Sequence, residues 1–258
     1  MNRTGLAIAF VVAAVTGVLF GFYPELDLTI AGLFYQPGTG FGLGAQPLLT
    51  QLRDAAMIIV GLLVAPAIVA LVVKLAAPRY RMLVPARASV LLISTLILGP
   101  LLAANITLKD NWGRPRPRDV VEFGGDHRFV PWWDPRGACE ANCSFVAGEA
   151  AGAFWTLAPA ALTPPQWRPL AYAGALAFGA AVSALRMGFG GHFFSDVVFA
   201  GAITFLIIWL VHGLLYRWPA TRISDAGWEG MLERLAAPLR RPFRRRPRAE
   251  GSRPAARG

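Results

Sequence analysis

Between Arg186 and Asp196 the chain reads Arg-Met-Gly-Phe-Gly-Gly-His-Phe-Phe-Ser-Asp, gathering a guanidinium, an imidazole and a carboxylate between two apolar segments. His192 and Asp196 are four residues apart. A helix starting near His192 would put them on one face, so that the carboxylate accepts the imidazole N–H. The other ring nitrogen is then available as base or nucleophile. Arg186 adds a permanently charged fork suited to phosphate or carboxylate. Gly188, Gly190 and Gly191 let the backbone approach a ligand closely.

A second group of cations opens a polar loop as Lys-Asp-Asn-Trp-Gly-Arg-Pro-Arg-Pro-Arg, from Lys109 to Arg118. The alternating prolines hold Arg114 and Arg116 on a stiff, extended backbone. Stiff cations lose less entropy on clamping an anion than flexible ones. The same loop carries the two cysteines of the chain, Cys139 and Cys143, with His127 as the one nearby nitrogen ligand. Zinc takes four ligands, or three and a water, so the spacing reads as a small disulfide and no metal site is expected.

Long apolar elements must position these groups. The chain is 55% hydrophobic and 16% charged, with a mean hydropathy of +0.48, and its apolar residues fall in long runs nearly free of charge. That pattern predicts an all-α, polytopic membrane protein. Six helices are expected: Leu6 to Phe22, Ala55 to Ala76, Ala88 to Leu108, Ser144 to Leu162, Pro169 to Leu185 and Phe193 to Tyr216. Tyr23 to Asp54 is expected to be a punctuated loop. The connection with Lys74, Arg79, Arg81 and Arg87 is basic, as is the C-terminus, whereas the first loop leans acidic. This asymmetry puts both termini in the cytoplasm and both motif loops on the outer, periplasmic side of a bacterial inner membrane. A disulfide is at home there.

Eight arginines against one glutamate follow Leu239, which accounts for +7 of the formal +10. Beside a membrane domain, that excess points to anionic lipid headgroups and away from nucleic acid. The chain thus divides into a six-helix domain, 1–218, and a cytoplasmic tail, 219–258. In the tail, Thr221 to Leu239 has the spacing of an interfacial helix.

Lys-x6-Arg-Pro, followed by Arg-x5-His-x3-Asp, resembles the type 2 phosphatidic acid phosphatase (PAP2) superfamily, from Leu108 to Asp196. The resemblance implies a lipid phosphate phosphatase with six membrane helices, an outward-facing site and no metal or other cofactor. Lys109, Arg116 and Arg186 correspond to its phosphate-binding cations, His192 to its nucleophile and Asp196 to the partner of that histidine. Phosphoryl transfer mainly needs positioning and charge neutralisation, and an oriented imidazole can carry the group as phosphohistidine. The middle motif departs from the usual Pro-Ser-Gly-His, reading Val146-Ala147-Gly148-Glu149. Gly148 keeps a backbone amide for phosphate, and Glu149 stands where a histidine usually protonates the leaving oxygen. Leu185 likewise replaces the serine before the third-motif arginine. Glu149 is the expected acid, with His127 in reserve, and anchoring an arginine is the competing role for Glu149. Lipid A is the favoured substrate, because its sugar phosphates face an outer site. Undecaprenyl pyrophosphate, phosphatidylglycerol phosphate and phosphatidic acid stay open, as do a lipid phosphotransferase and a non-catalytic anion-binding protein.

Overall fold

The computed structural model describes residues 2–239, which are all-helical apart from loops and two isolated β-bridges. The polybasic stretch after Leu239 lies outside the described residues. Five helices are long and apolar enough to cross a membrane: α1 (Arg3–Phe22), α3 (Pro47–Ala76), α4 (Ala86–Leu96, continuing to Lys109), α7 (Arg168–Gly188) and α8 (Phe194–His212, continuing to Arg217). Their outer faces carry exposed apolar side chains such as Val11, Leu62 and Leu176, as helices bathed in acyl chains do.

The expected fourth helix is broken. Ser144 to Ala147 is non-helical, and the remainder forms two short helices, α5 (Gly148–Phe154) and α6 (Leu157–Leu162). Pro159 has no N–H to donate to the Trp155 carbonyl, which the Ala158 N–H takes instead at 2.8 Å in a tighter turn. The Trp155 indole, fully buried at this turn, donates to Thr95 Oγ1 at 2.9 Å. Alanine and glycine let this pair lie at the centre of the bundle, where Ala150, Ala151, Ala153 and Ala158 are sealed from solvent. Two other boundaries shift. The loop expected over Tyr23 to Asp54 contains α2 (Glu25–Gly32), and α3 starts within it at Pro47. Beyond Ile97, α4 runs in the wider π register, with the Asn105 amide donating to Pro100 O at 2.6 Å.

The long loop after Lys109 folds into a cap. Trp112 donates to Trp132 O at 2.6 Å and Trp132 to Gly17 O at 3.2 Å, tying the loop to the end of α1. A disulfide joins Cys139 to Cys143 within it. At the other end of the bundle, α9 (Asp225–Leu239) is fastened by charge. Buried Lys74 reaches Glu229 at 3.0 Å and Glu233 at 2.8 Å, and Arg87 pairs with Asp225 at 3.0 Å. The Arg87 guanidinium also covers the Tyr216 ring, and the Trp209 indole donates to Asn2 O. The start of α1, the end of α8 and α9 therefore share one end. The 24-residue span of α4 separates that end from Lys109.

Candidate active site

Five elements converge at the Lys109 end. Lys109 closes α4, and Arg116 follows in polyproline geometry (φ −79°, ψ 158°), the stiff backbone that flanking prolines impose. Arg116 donates from Nε and Nη2 to Asn142 O at 3.0 and 2.6 Å, which fixes one edge of its guanidinium. Arg186 lies in the last turn of α7, buried, with its Nη2 over Gly191, where a Cβ would come within 2.8 Å. Glu149, in the first turn of α5, places Oε2 2.9 Å from Arg186 Nε, a close ion pair too oblique to count as a hydrogen bond.

His192 precedes α8 and is 1% exposed. Its Nδ1 lies 2.6 Å from Ser144 O. A carbonyl only accepts, so Nδ1 carries the hydrogen and Nε2 keeps its lone pair. Burial, then the charges of Arg186 and Arg116, push the imidazole well below its usual value of 6.5, with the Ser144 bond opposing them and Lys109 adding to them. The ring is neutral at physiological pH, as a nucleophile requires. Lys109, Arg116 and Arg186 all act electrostatically on His192, and Glu149 on the three cations, so these five groups form one cluster.

Asp196 is placed differently from the expectation. Because α8 begins at Phe194, His192 lies outside it and the four-residue helical spacing does not apply. Asp196 accepts the Phe193 N–H at 2.8 Å, capping α8, and the Ser144 hydroxyl at 2.5 Å. Ser144 thus links the pair, with its hydroxyl on Asp196 and its carbonyl on His192. Asp196 also pairs with Arg114 Nη1 at 2.5 Å. Arg114, read as a twin of Arg116, is fully buried and holds Asp27 at 2.8 Å through its other terminal nitrogen. Asp27 in turn accepts from Ser195 N at 3.0 Å and Ser195 Oγ at 2.6 Å, and Phe193 covers the Arg114 guanidinium at 4.4 Å.

Gly148 lets the Asn105 side-chain amide lie against it, since a Cβ there would clash with the Asn105 Oδ1. That contact is independent of any ligand. The Cys139–Cys143 disulfide brackets Asn142, the residue that holds Arg116. His127 accepts nothing from the cluster; its backbone N–H donates to Asp119 O in the cap, at 2.9 Å. The contributions of Asp27, Ser144 and Asn142 were not read from the sequence. A crevice of about 710 Å³ between α1, α7 and α8 is apolar, with Arg168 its one charged lining residue. It lies away from the cations and is not the phosphate site.

Known proteins resemble this chain along most of its length. Residues 88–221 match the PAP2 superfamily, a segment that contains all five members of the cluster. A lipid A 4′-phosphatase of Francisella tularensis subsp. novicida is 33% identical over 220 residues, covering 84% of this chain and 98% of that protein. Lipid A 4′-phosphatases of Rhizobium leguminosarum and Rhizobium etli are 42% and 40% identical over 106 and 105 residues, 41% of this chain in each case and 46% and 41% of those proteins. No solved structure gives a significant match. The cation cluster around a buried histidine and the extent of these matches lead to one assignment: the chain belongs to the PAP2 superfamily.

Proposed function

We propose that this PAP2 phosphatase removes the 4′-phosphate of lipid A at the periplasmic face of the inner membrane, through a phosphohistidine on His192. The observation that carries the reading is a neutral, buried imidazole whose Nε2 is left unprotonated among three cations and one carboxylate. The substrate comes from the three curated relatives, which share that name.

Lys109, Arg116 and Arg186 take the non-bridging oxygens and neutralise charge that spreads over them in the transition state. His192 Nε2 attacks phosphorus and the bond to the sugar oxygen breaks. Arg186 exchanges its contact with Glu149 for phosphate, and Glu149, protonated beside the bound anion, passes its proton to the leaving oxygen. Water then attacks the phosphohistidine, Glu149 takes the proton back, and inorganic phosphate leaves. The Gly148 amide is a further donor to phosphate. Asp196 acts on the imidazole through Ser144, as a positioning residue.

In this reading α5 and α6 together make the sixth crossing, shielded from lipid by their neighbours. The N-terminus, Lys74, Arg87 and α9 face the cytoplasm, with the polybasic end on anionic lipid. The positive-inside tendency supports that orientation.

The test is phosphate release from lipid A by purified protein in detergent. His192→Ala should lower it by roughly 10⁴-fold or more, the scale of a lost nucleophile. Activity should survive excess chelator, because the electrophiles are side chains. Since the neutral imidazole is the active form and its value is depressed, the acidic limb of kcat/KM should lie below pH 6.5. A His192→Ala protein working at the parental rate sinks the proposal, and label passed to a second lipid instead of water makes the enzyme a phosphotransferase.

A further inference from the structure

Beside the phosphate cluster lies a cavity of about 370 Å³, lined by Phe41, Thr50, Arg53, Arg118, Arg186 and Phe189. Its size falls in the ~300–1,000 Å³ range of small-molecule sites. It shares Arg186 with the cluster but not His192, so its occupant adjoins the phosphate and stays off the nucleophile. That position suits the group to which the phosphate is bonded.

Two features select its chemistry. Arg53 pairs with its neighbour Asp54 at 2.6 Å and Arg118 faces Asp119 at 3.6 Å, so each lining arginine already has a carboxylate behind it. Arginines partly neutralised in this way suit neutral hydroxyl and amide groups better than a second phosphate. Phe41 and Phe189 supply apolar ring surface. Phe41 is held in place by Gly190, where a Cβ would come within 2.5 Å of its ring, and by contacts at 5.5 and 5.4 Å with Tyr35 and Phe123. Aromatic faces beside paired charged side chains suit a pyranose, which has apolar C–H faces and a polar edge.

Resting on the phosphatase reading above, we propose that this cavity is a sugar subsite. It seats the pyranose that bears the scissile phosphate, Arg53 and Arg118 binding its ring substituents and Phe41 its face. The subsite makes the enzyme selective for a glycosyl-linked phosphate over a glycerol-linked one. It is built largely from the first outer loop, the start of α3 and Arg118.

The experiment measures kcat/KM for lipid A and for nitrophenyl phosphate on the full chain in detergent. Arg53→Gln and Arg118→Gln, both at partly exposed positions that should tolerate exchange, should each lower the lipid A to nitrophenyl phosphate ratio by about tenfold, the effect of one charge-assisted hydrogen bond, acting through KM. Phe41→Leu should lower the same ratio. An unchanged ratio in both arginine variants overturns the subsite, whether the two activities fall together or not at all. If the arginine variants lower the ratio and Phe41→Leu does not, the occupant is a second anion and the sugar assignment is wrong. Binding of lipid A to His192→Ala protein, with and without Arg53→Gln, reads the subsite without turnover and must weaken by a similar factor. A parent protein that releases no phosphate but binds lipid A in this Arg53-dependent way would refute the phosphatase reading and keep the subsite.

Discussion

Arg114 and Arg116 are two residues apart in one Arg-Pro-Arg-Pro run, yet they belong to opposite kinds of charged region. Around Arg114, one guanidinium meets two carboxylates, Asp27 and Asp196, and all three side chains are sealed from solvent. Around Arg116, the cations Lys109, Arg116, Arg186 and Arg118 meet Glu149, which is a third exposed, with Asp110 and Asp119 further out. In the first region the guanidinium is fully paired and both carboxylates accept further bonds from Ser144, Phe193 and Ser195, so nothing is left for a ligand. The second is left with a cation excess that only an anion from outside can balance. A buried charge holds structure when its partners come with the chain and binds ligand when they do not.

The largest effect should follow from breaking the closed region. Arg114→Ala would leave Asp27 and Asp196 facing each other in the interior and remove the hub that joins α2, the cap and α8. Loss of one partner of a buried pair costs about 3–5 kcal/mol, comparable to the whole stability of many domains. We expect little folded protein, measured as the monodisperse fraction in detergent and the unfolding midpoint. Restored folding on adding Asp27→Asn to Arg114→Ala would confirm that the stranded carboxylates cause the loss. Near-parental stability of Arg114→Ala alone would mean that the region is not the closed network described.

Next comes the carboxylate paired with Arg186 in the open region. Glu149→Gln removes both the proton donor and the countercharge of Arg186, and the two roles separate by substrate. As acid, its loss should slow lipid A turnover by roughly 10²-fold. Nitrophenyl phosphate should be affected far less, because its leaving group departs without protonation. As a mere anchor for Arg186, its loss would slow both substrates alike. Phosphate affinity should rise in either case, since Arg186 no longer has a competing carboxylate.

The open region was legible in the sequence and the closed one was not, for a physical reason. Lys109, Arg116, Arg186 and His192 stand out because cations and imidazoles are rare in an apolar chain and their spacing is fixed by short local segments. Asp27 lies in a stretch that read as loop punctuation, and its pairing with Arg114 closes over 87 residues of chain. Ser144 orients His192 through a backbone carbonyl, which every residue has, so no side-chain pattern encodes it. The expected His192–Asp196 bond depended on where α8 starts, and a boundary two residues later moved the carboxylate onto the Phe193 N–H. The long apolar helices were readable from composition. The α5–α6 break had a signal in Pro159, overridden in the reading by the length of the apolar run.

The smallest effect tests how the open region is held. Arg114 is positioned by two carboxylates, whereas Arg116 is positioned by one backbone carbonyl, that of Asn142. Asn142 adopts a left-handed conformation (φ 54°), tolerable for asparagine, and its N–H donates to Asp110 Oδ1 at 3.3 Å. The Cys139–Cys143 bond closes the loop around it, so opening that bond frees Asn142 to move and lets Arg116 sample other rotamers. So short a loop contributes only ~2 kcal/mol by chain entropy, and the helical bundle does not depend on it. The cost falls on binding: immobilising one long side chain anew takes about 0.5–1.5 kcal/mol, hence a rise in KM of about two- to tenfold. The double variant Cys139→Ser, Cys143→Ser should therefore raise KM for lipid A with kcat nearly kept, and reductant should do the same to the parent but nothing further to the variant. A collapse of folding in the double variant would assign the bond to the fold. An unchanged KM would mean that Asp110 alone suffices to hold Asn142, and through it Arg116, in place.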